Sequence, residues 1–151
     1  MAGLSYSVNF ENVTVSAAVQ DIWEGLTGGT TAITLHRIGM SWQRTTQENV
    51  RYQLLLRSTA GSGGSSVTAR ALQGKNATAS GVTWNRTVTT PGTAGNVLDS
   101  WDWNIVVPFD QVMGKSDLEI EIPAGTRFAF ALLGAPGGAY AAASSIVYSE
   151  R

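Results

Sequence analysis

Apolar and polar residues alternate with a period of two along most of the chain, which is the pattern of half-buried β-strands. Over residues 4–10 every second side chain is apolar, and the apolar phase then moves to Val13 and Val15. One extra residue reverses the face of every side chain that follows it in a strand. We therefore expect a bulge or tight turn at Glu11 and Asn12.

The same alternation predicts further strands. A strand over Ile33–Trp42 changes phase at His36 and Arg37, and the clearest alternation lies at 50–57, where Arg57 is expected to face outward. The other predicted strands cover residues 66–72, 82–88, 97–107, 118–122, 128–133 and 144–148.

The segment from Ser16 to Leu26 fits two descriptions. Its apolar residues, from Val19 onward, recur at helical spacing, with Ser16 in position to cap a helix and Gly25 in position to end it. The pattern is equally compatible with one short helix near residues 17–26 and with another strand.

Eight or more short strands, separated by turns rich in Gly and Pro, predict an all-β fold rather than a βαβ fold. We expect an antiparallel β-sandwich of jelly-roll type. The chain has no internal repeat and no linker, so residues 1–151 are expected to form a single domain.

Composition excludes several kinds of chemistry. Cysteine is absent and His36 is the only histidine, so thiol nucleophiles and thiolate metal sites are ruled out. A net charge of −1 with 14% charged residues supplies no basic patch for nucleic acid. With neither a signal peptide nor a long apolar run, we expect no membrane partner, and no residues call for a cofactor.

Each polar candidate site has a structural explanation that we prefer. His36 lies in an apolar strand without a nearby carboxylate, so we expect a structural histidine bonded to backbone. A glycine-rich segment lacks the P-loop ending and is interpreted as a mobile hairpin loop. The acidic residues Asp99, Asp102, Asp110 and Asp117 lack calcium-loop spacing, so we expect surface solvation, or a hairpin turn for Asp110 and Asp117, to account for them. The glycine-rich segment consists of Gly61, Ser62, Gly63, Gly64 and Ser65.

Two further groups leave alternatives open. Trp101, Trp103 and Phe109 share one face of the predicted strand at 97–107 and its continuation, which favours core or an oligomer interface over a sugar-stacking platform. Glu119 and Glu121 are same-face neighbours that suit a solvated strand edge better than a glycosidase pair.

Several short motifs in a fixed order resemble small proteins encoded by tailed bacteriophages. They are QDIWE at 20–24, AITLHRI at 32–38, YQLLLR at 52–57 followed by GSGGSSVTARAL at 61–72, and IPAGTR at 122–127. The resemblance implies a β-sandwich or jelly-roll virion component that decorates, or cements, the outer surface of a capsid. It implies the major capsid protein as partner, a homotrimer, and assembly in bacterial cytoplasm, with no catalytic residues to carry over.

Candidate capsid contacts follow from the chain's start and its loops. The N-terminal segment is short, small and nearly uncharged, so it could lie across a capsid subunit or add a strand to a sheet edge. The segment comprises Ala2, Gly3, Leu4 and Ser5, and the glycine-rich loop is the next candidate. A carbohydrate-binding or receptor-binding domain of a phage fibre or tail tip is the alternative function, and a jelly-roll glycoside hydrolase is the enzymatic one.

Overall fold

The computed structural model describes residues 4–16, 18–72, 78–113, 119–134 and 136–151. In these ranges every regular element is a strand, and no helix is present that could cross a membrane. The strands are β1 (Ser5–Val15), β2 (Gln20–Thr27), β3 (Ile33–Trp42), β4 (Asn49–Arg57), β5 (Ser65–Val67), β6 (Arg70–Ala71), β7 (Val82–Val88), β8 (Ala94–Asn104), β9 (Phe109–Val112), β10 (Ile120–Ile122), β11 (Arg127–Leu132) and β12 (Tyr140–Glu150).

Two antiparallel sheets pack face to face. Sheet A has the order β10-β3-β12-β1-β6, with β9 also paired to β3, and sheet B has the order β5-β7-β2-β11-β4-β8. The longer strands pair from the ends of the chain inward, β1 with β12, β2 with β11, β3 with β9 and β10, and β4 with β8. The expected all-β antiparallel sandwich is confirmed.

The core between the sheets is built around Trp23 of sheet B, which is fully buried. Its ring stacks on Phe10 of sheet A at 5.8 Å and on Phe130 of its own sheet at 5.6 Å. Its indole Nε1 donates to the hydroxyl of Ser144 at 3.1 Å. A buried indole N–H needs such a partner, so the contact also fixes how the two sheets face each other.

Both predicted phase changes are confirmed. The register between β1 and β12 shifts between Phe10 and Val13, and Asn12 in this bulge takes a φ of 54°, a conformation that Asn tolerates better than most residues. The register between β3 and β12 shifts at His36. The apolar residues on both sides of each bulge face the core.

The helical alternative near residues 17–26 is wrong, because residues 20–27 form β2. Ile22 is an extra residue relative to β11, so the register shifts there and Ile22 and Trp23 are both buried in the core. This bulge produces the helical spacing of apolar residues in the sequence. Gly25 does not end an element, since it lies in mid-strand directly opposite Phe128 and Trp84.

Several predicted strands differ in their bounds from the observed ones, and two of these differences change the path of the chain. The strand at 97–107 ends at Asn104, where Val107 N donates to Asn104 O at 3.1 Å and a turn begins. The strand at 66–72 is divided, because β5 belongs to sheet B and β6 to sheet A. A chain that crosses between sheets keeps its alternation while changing its partner, so the sequence pattern did not reveal the crossing.

Candidate functional site

Strands β8 and β9 lie at borders of the two sheets, and we call residues 94–112 the β8–β9 edge. Trp101 and Trp103 of β8 are half-buried, with ring centroids 5.5 and 5.3 Å from that of Phe109. Trp103 Nε1 donates to Val107 O at 2.9 Å. The three rings do not share one strand face as predicted, because Phe109 begins β9 in sheet A after the turn. They meet at the border between the two sheets.

This edge has unpartnered backbone and exposed apolar side chains. Among the described strands β8 pairs only with β4, so its outer side is open along the strand. Val97, Val107 and Val112 are 50%, 48% and 63% exposed. Open strand edges favour pairing with another protein chain, and exposed apolar side chains add area that a neighbour can cover.

The tryptophan pair is poorly placed as a sugar platform. Trp101 and Trp103 meet Phe109 edge to face, at interplanar angles of 66° and 89°. Stacking on a pyranose requires an open ring face, whereas these rings are half-buried against their neighbour. The geometry agrees with packing at the border of the core.

Glu119 and Glu121 both form ion pairs with Arg151. Arg151 lies 3.8 Å from Glu119 Oε2 and 3.1 Å from Glu121 Oε1. Glu121 lies in the short edge strand β10 and is well exposed. The arrangement is a solvated strand edge, since a glycosidase pair requires two carboxyl groups facing each other across a substrate.

His36 has a structural contact, although its partner is not the expected backbone group. Its Nε2 lies 2.9 Å from the hydroxyl of Ser149 in the neighbouring strand β12. The ring is half-buried at the bulge of β3, where the extra residue turns it out of the core. Ser149 carries no charge, so this pair lacks the carboxylate that orients a catalytic histidine in a triad.

Two of the acidic candidates form ion pairs between strands. Asp110 accepts two hydrogen bonds from Arg37 at 2.8 and 2.9 Å, and Asp102 accepts two from Arg51 at the same distances. Hydrogen bonding to the guanidinium lowers the pKa of each carboxyl below its ordinary value.

The remaining acidic candidates are placed differently. Asp110 lies exposed in strand β9, so the hairpin-turn alternative is wrong for it and surface solvation describes it, and Asp117 lies outside the described residues. Asp99 Oδ1 accepts from the backbone N–H of Ser100 at 2.8 Å. Within the described ranges no three His, Asp or Glu side chains are placed to hold a metal ion.

The N-terminal candidate is partly bound into sheet A. Glu150 N donates to Leu4 O, and Leu72 N donates to Ser5 O, both at 2.9 Å. Ala2 and Gly3 lie outside the described residues. The described part of the candidate arm therefore completes the protein's own sheet.

The glycine-rich loop packs against the end of β7. Ser62 forms an isolated bridge with Thr90, and Gly63 takes a φ of 80° where a Cβ would lie 2.1 Å from Thr89 Oγ1. The backbone N–H of Gly61 donates to Glu24 Oε2 at 3.0 Å. Glycine is favoured at position 63 because of this positive φ and because a Cβ would collide with the Thr89 side chain.

A buried charge network on the outer side of sheet B was not predicted. The fully buried carboxylate of Asp21 is bound by Nη2 and Nε of Arg57, and Arg127 Nη1 donates to Glu24 Oε1 at 2.6 Å. Burial raises the pKa of Asp21 to about 6 although Arg57 opposes the shift. Arg57 thus faces the outer side of the sheet, as the alternation predicts, but it is buried there in an ion pair. The signal for this network was two carboxylates in an otherwise apolar strand.

Comparison of the chain with protein-family models, with curated proteins and with solved structures found no match.

Proposed function

We propose that this chain is a structural virion protein that decorates the outer surface of a tailed-phage capsid as a homotrimer. The observation that carries the proposal is the β8–β9 edge, which combines an open strand with exposed valines. A stable single-chain protein usually blocks such an edge, whereas an oligomer covers it with a neighbour.

The proposed fold type is a jelly roll. A jelly roll is a long hairpin rolled into two sheets, so its first strand pairs with its last and the pairing proceeds inward. The pairs β1–β12, β2–β11, β3–β9/β10 and β4–β8 agree with this order. The short strands β5 and β6, with β7, are then an insertion between the fourth and fifth strands of the roll.

Surface charge is compatible with many copies on one shell. The net charge is −1, and ion pairs such as Arg37–Asp110 and Arg51–Asp102 neutralise charges locally. Neighbouring copies would therefore repel one another little, and the major capsid protein would be met mainly through shape and hydrogen bonds. Leu4, Ser5 and the loop at 61–65 stay the candidate contacts.

The alternative, a carbohydrate- or receptor-binding domain built on Trp101 and Trp103, has less support. Both rings are half-buried against Phe109, which leaves little ring face for a sugar.

The experiment places a charge on the β8–β9 edge. Val107→Glu and Val112→Glu add a carboxylate to exposed positions without altering the core, and Val19→Glu is the matched control at a valine that is 45% exposed elsewhere. Light scattering should give a trimer for the wild type and the control, and smaller species for the edge variants. A monomeric wild type, or edge variants that stay trimeric, would contradict the proposed interface.

A further inference from the structure

Two arginines differ from all the others in the part of the chain that the structure describes. Arg37, Arg44, Arg51, Arg57, Arg127 and Arg151 each form an ion pair. Arg70 and Arg86 form none with the described residues. Both line the same surface groove, of about 370 Å³, between the border of β1 and strands β5 and β7. This volume lies in the range of small-molecule sites, roughly 300–1,000 Å³.

The groove arises from the crossing of the chain between the sheets. β6 pairs with β1 only at Tyr6 and Ser7, and β5 pairs with β7 in the other sheet, so a cleft opens beside Asn9. Polar side chains of both borders line it, namely Ser7, Asn9, Ser66 and Thr68.

Arg86 is held at its guanidinium group and at its backbone. A guanidinium N–H donates to the backbone carbonyl of Glu11, which anchors the group and leaves its other donors for a ligand. The next residue, Thr87, has a φ of 55°, which is unfavourable for a β-branched side chain. Strained backbone of this kind persists where the surroundings enforce it and is common beside binding sites.

The groove's chemistry selects a hydroxylated anion. A guanidinium binds a carboxylate through two parallel hydrogen bonds, while hydroxyl and amide side chains bind alcohols. Glu11 also lines the groove and has no ion pair with the described residues, so its carboxylate can accept from ligand hydroxyls. Two guanidinium groups and one carboxylate give the groove a charge of about +1, which suits a ligand with one negative charge.

The lining also argues against a neutral sugar. Among the described residues that line the groove, Val67 has the only apolar side chain, and none has an aromatic ring for stacking on a pyranose. Asn9 and Glu11 also line an adjoining groove of about 360 Å³, which reaches Arg37 and Asp110. The groove is thus continuous beyond one sugar unit, into a lining that also contains Met40, Pro108 and Phe109.

We propose that the Arg70–Arg86 groove binds an acidic polysaccharide through a carboxylate-bearing sugar unit of the hexuronate type. The carboxylate meets the two guanidinium groups, and the ring hydroxyls meet the serine, threonine and asparagine side chains and Glu11. This site is separate from the β8–β9 edge and does not depend on the proposed capsid role.

The test is calorimetric titration at low ionic strength with a galacturonic acid trimer, a neutral galactose trimer and inorganic phosphate. The variants are Arg70→Gln and Arg86→Gln. Arg151→Gln is the control, because it removes the same charge from an exposed arginine elsewhere, and thermal melting verifies that all variants fold. The wild type should bind the acidic trimer saturably, bind phosphate at least about tenfold more weakly, and not bind the neutral trimer. Each groove variant should weaken binding about tenfold or more, as loss of a charge-assisted hydrogen bond does, and the control should change it less than about twofold.

Four results would overturn the proposal. One is the absence of saturable binding of the acidic trimer to the wild type, and another is an equal loss of binding in all three variants, which would indicate long-range charge alone. Phosphate binding as tightly as the trimer would indicate an oxyanion site without saccharide recognition. The last is a change in the molecular mass of the protein oligomer in the groove variants while binding of the galacturonic acid trimer is unchanged. This result would assign the groove to a subunit contact.

Discussion

Replacing Gly25 by alanine tests the packing at the centre of sheet B. Gly25 lies in β2 directly between Phe128 of β11 and Trp84 of β7, whose ring centroids are 5.3 Å apart above it. An alanine Cβ would lie 2.7 Å from Phe128 Cζ and 2.9 Å from Trp84 Cζ3. Carbon atoms in contact are normally about 3.5–4.0 Å apart, so both rings would have to move.

The cost follows from how tightly these rings are held. Phe128 and Trp84 both contact Trp23, at 6.0 and 5.5 Å between centroids, and both rings are buried. Overpacking of a core costs about 1–3 kcal/mol, and two immobile rings place Gly25→Ala near the upper value. The lower entropy of the unfolded alanine chain offsets about 0.4–1 kcal/mol. We expect a net loss of about 2 kcal/mol, or about 4–8 °C in Tm for a chain of this size.

The assay is urea and thermal unfolding of the wild type, Gly25→Ala and Gly29→Ala. Gly29 lies in the turn after β2, and an alanine Cβ at this position would meet no atom within 4 Å, so its substitution should leave stability within about 1 kcal/mol of the wild type. If residues 17–26 were a helix, alanine at position 25 would stabilise by about 1 kcal/mol. A Gly25→Ala protein as stable as the wild type, or more stable, would refute the packing described for β2.

Three other predictions concern strain, pH and metals. Thr87→Asn should raise the free energy of unfolding by about 0.5–1 kcal/mol, because Asn tolerates the positive φ at this position. Thr83→Asn in the same strand is the control and should not raise it. Equal effects of the two substitutions in urea unfolding would contradict backbone strain at Thr87. The raised pKa of Asp21 means that the folded state binds its proton more tightly than the unfolded state, so this contribution to stability is complete below pH 3.8 and is lost as pH rises to about 6. Asp21→Asn should remove this pH dependence, and equal slopes of the unfolding free energy for both proteins between about pH 4 and 7 would contradict the prediction. EDTA should leave Tm within error, and a drop of several degrees would reveal a cation held by carboxylates.

The fold was predicted correctly where the pattern within a single strand determines on which side of the sheet each side chain lies. The bulges at Glu11–Asn12 and His36 each shift the apolar phase by one residue, and such a shift is visible in a single sequence. β2 was ambiguous because its bulge at Ile22 buries two consecutive apolar residues and so imitates helical spacing. In that case only the neighbouring strands decide the conformation.

The sites were predictable to a smaller extent because they depend on long-range pairing. The contact of Trp101 with Phe109 requires a change of sheet at the turn after Asn104, which the continuous alternation hides. The pairing of Asp21 with Arg57 joins strands that are separated along the chain, and Arg70 and Arg86 share a groove only because the chain crosses between sheets before β6. None of these partners is a neighbour in sequence.

The most direct test of the capsid-decoration proposal is co-sedimentation of the purified protein with undecorated tailed-phage heads. We expect saturable binding, with the bound protein approaching a fixed ratio of trimers to capsid subunits as its concentration rises. Protein that stays in the supernatant at every concentration, while remaining folded, would contradict the proposal.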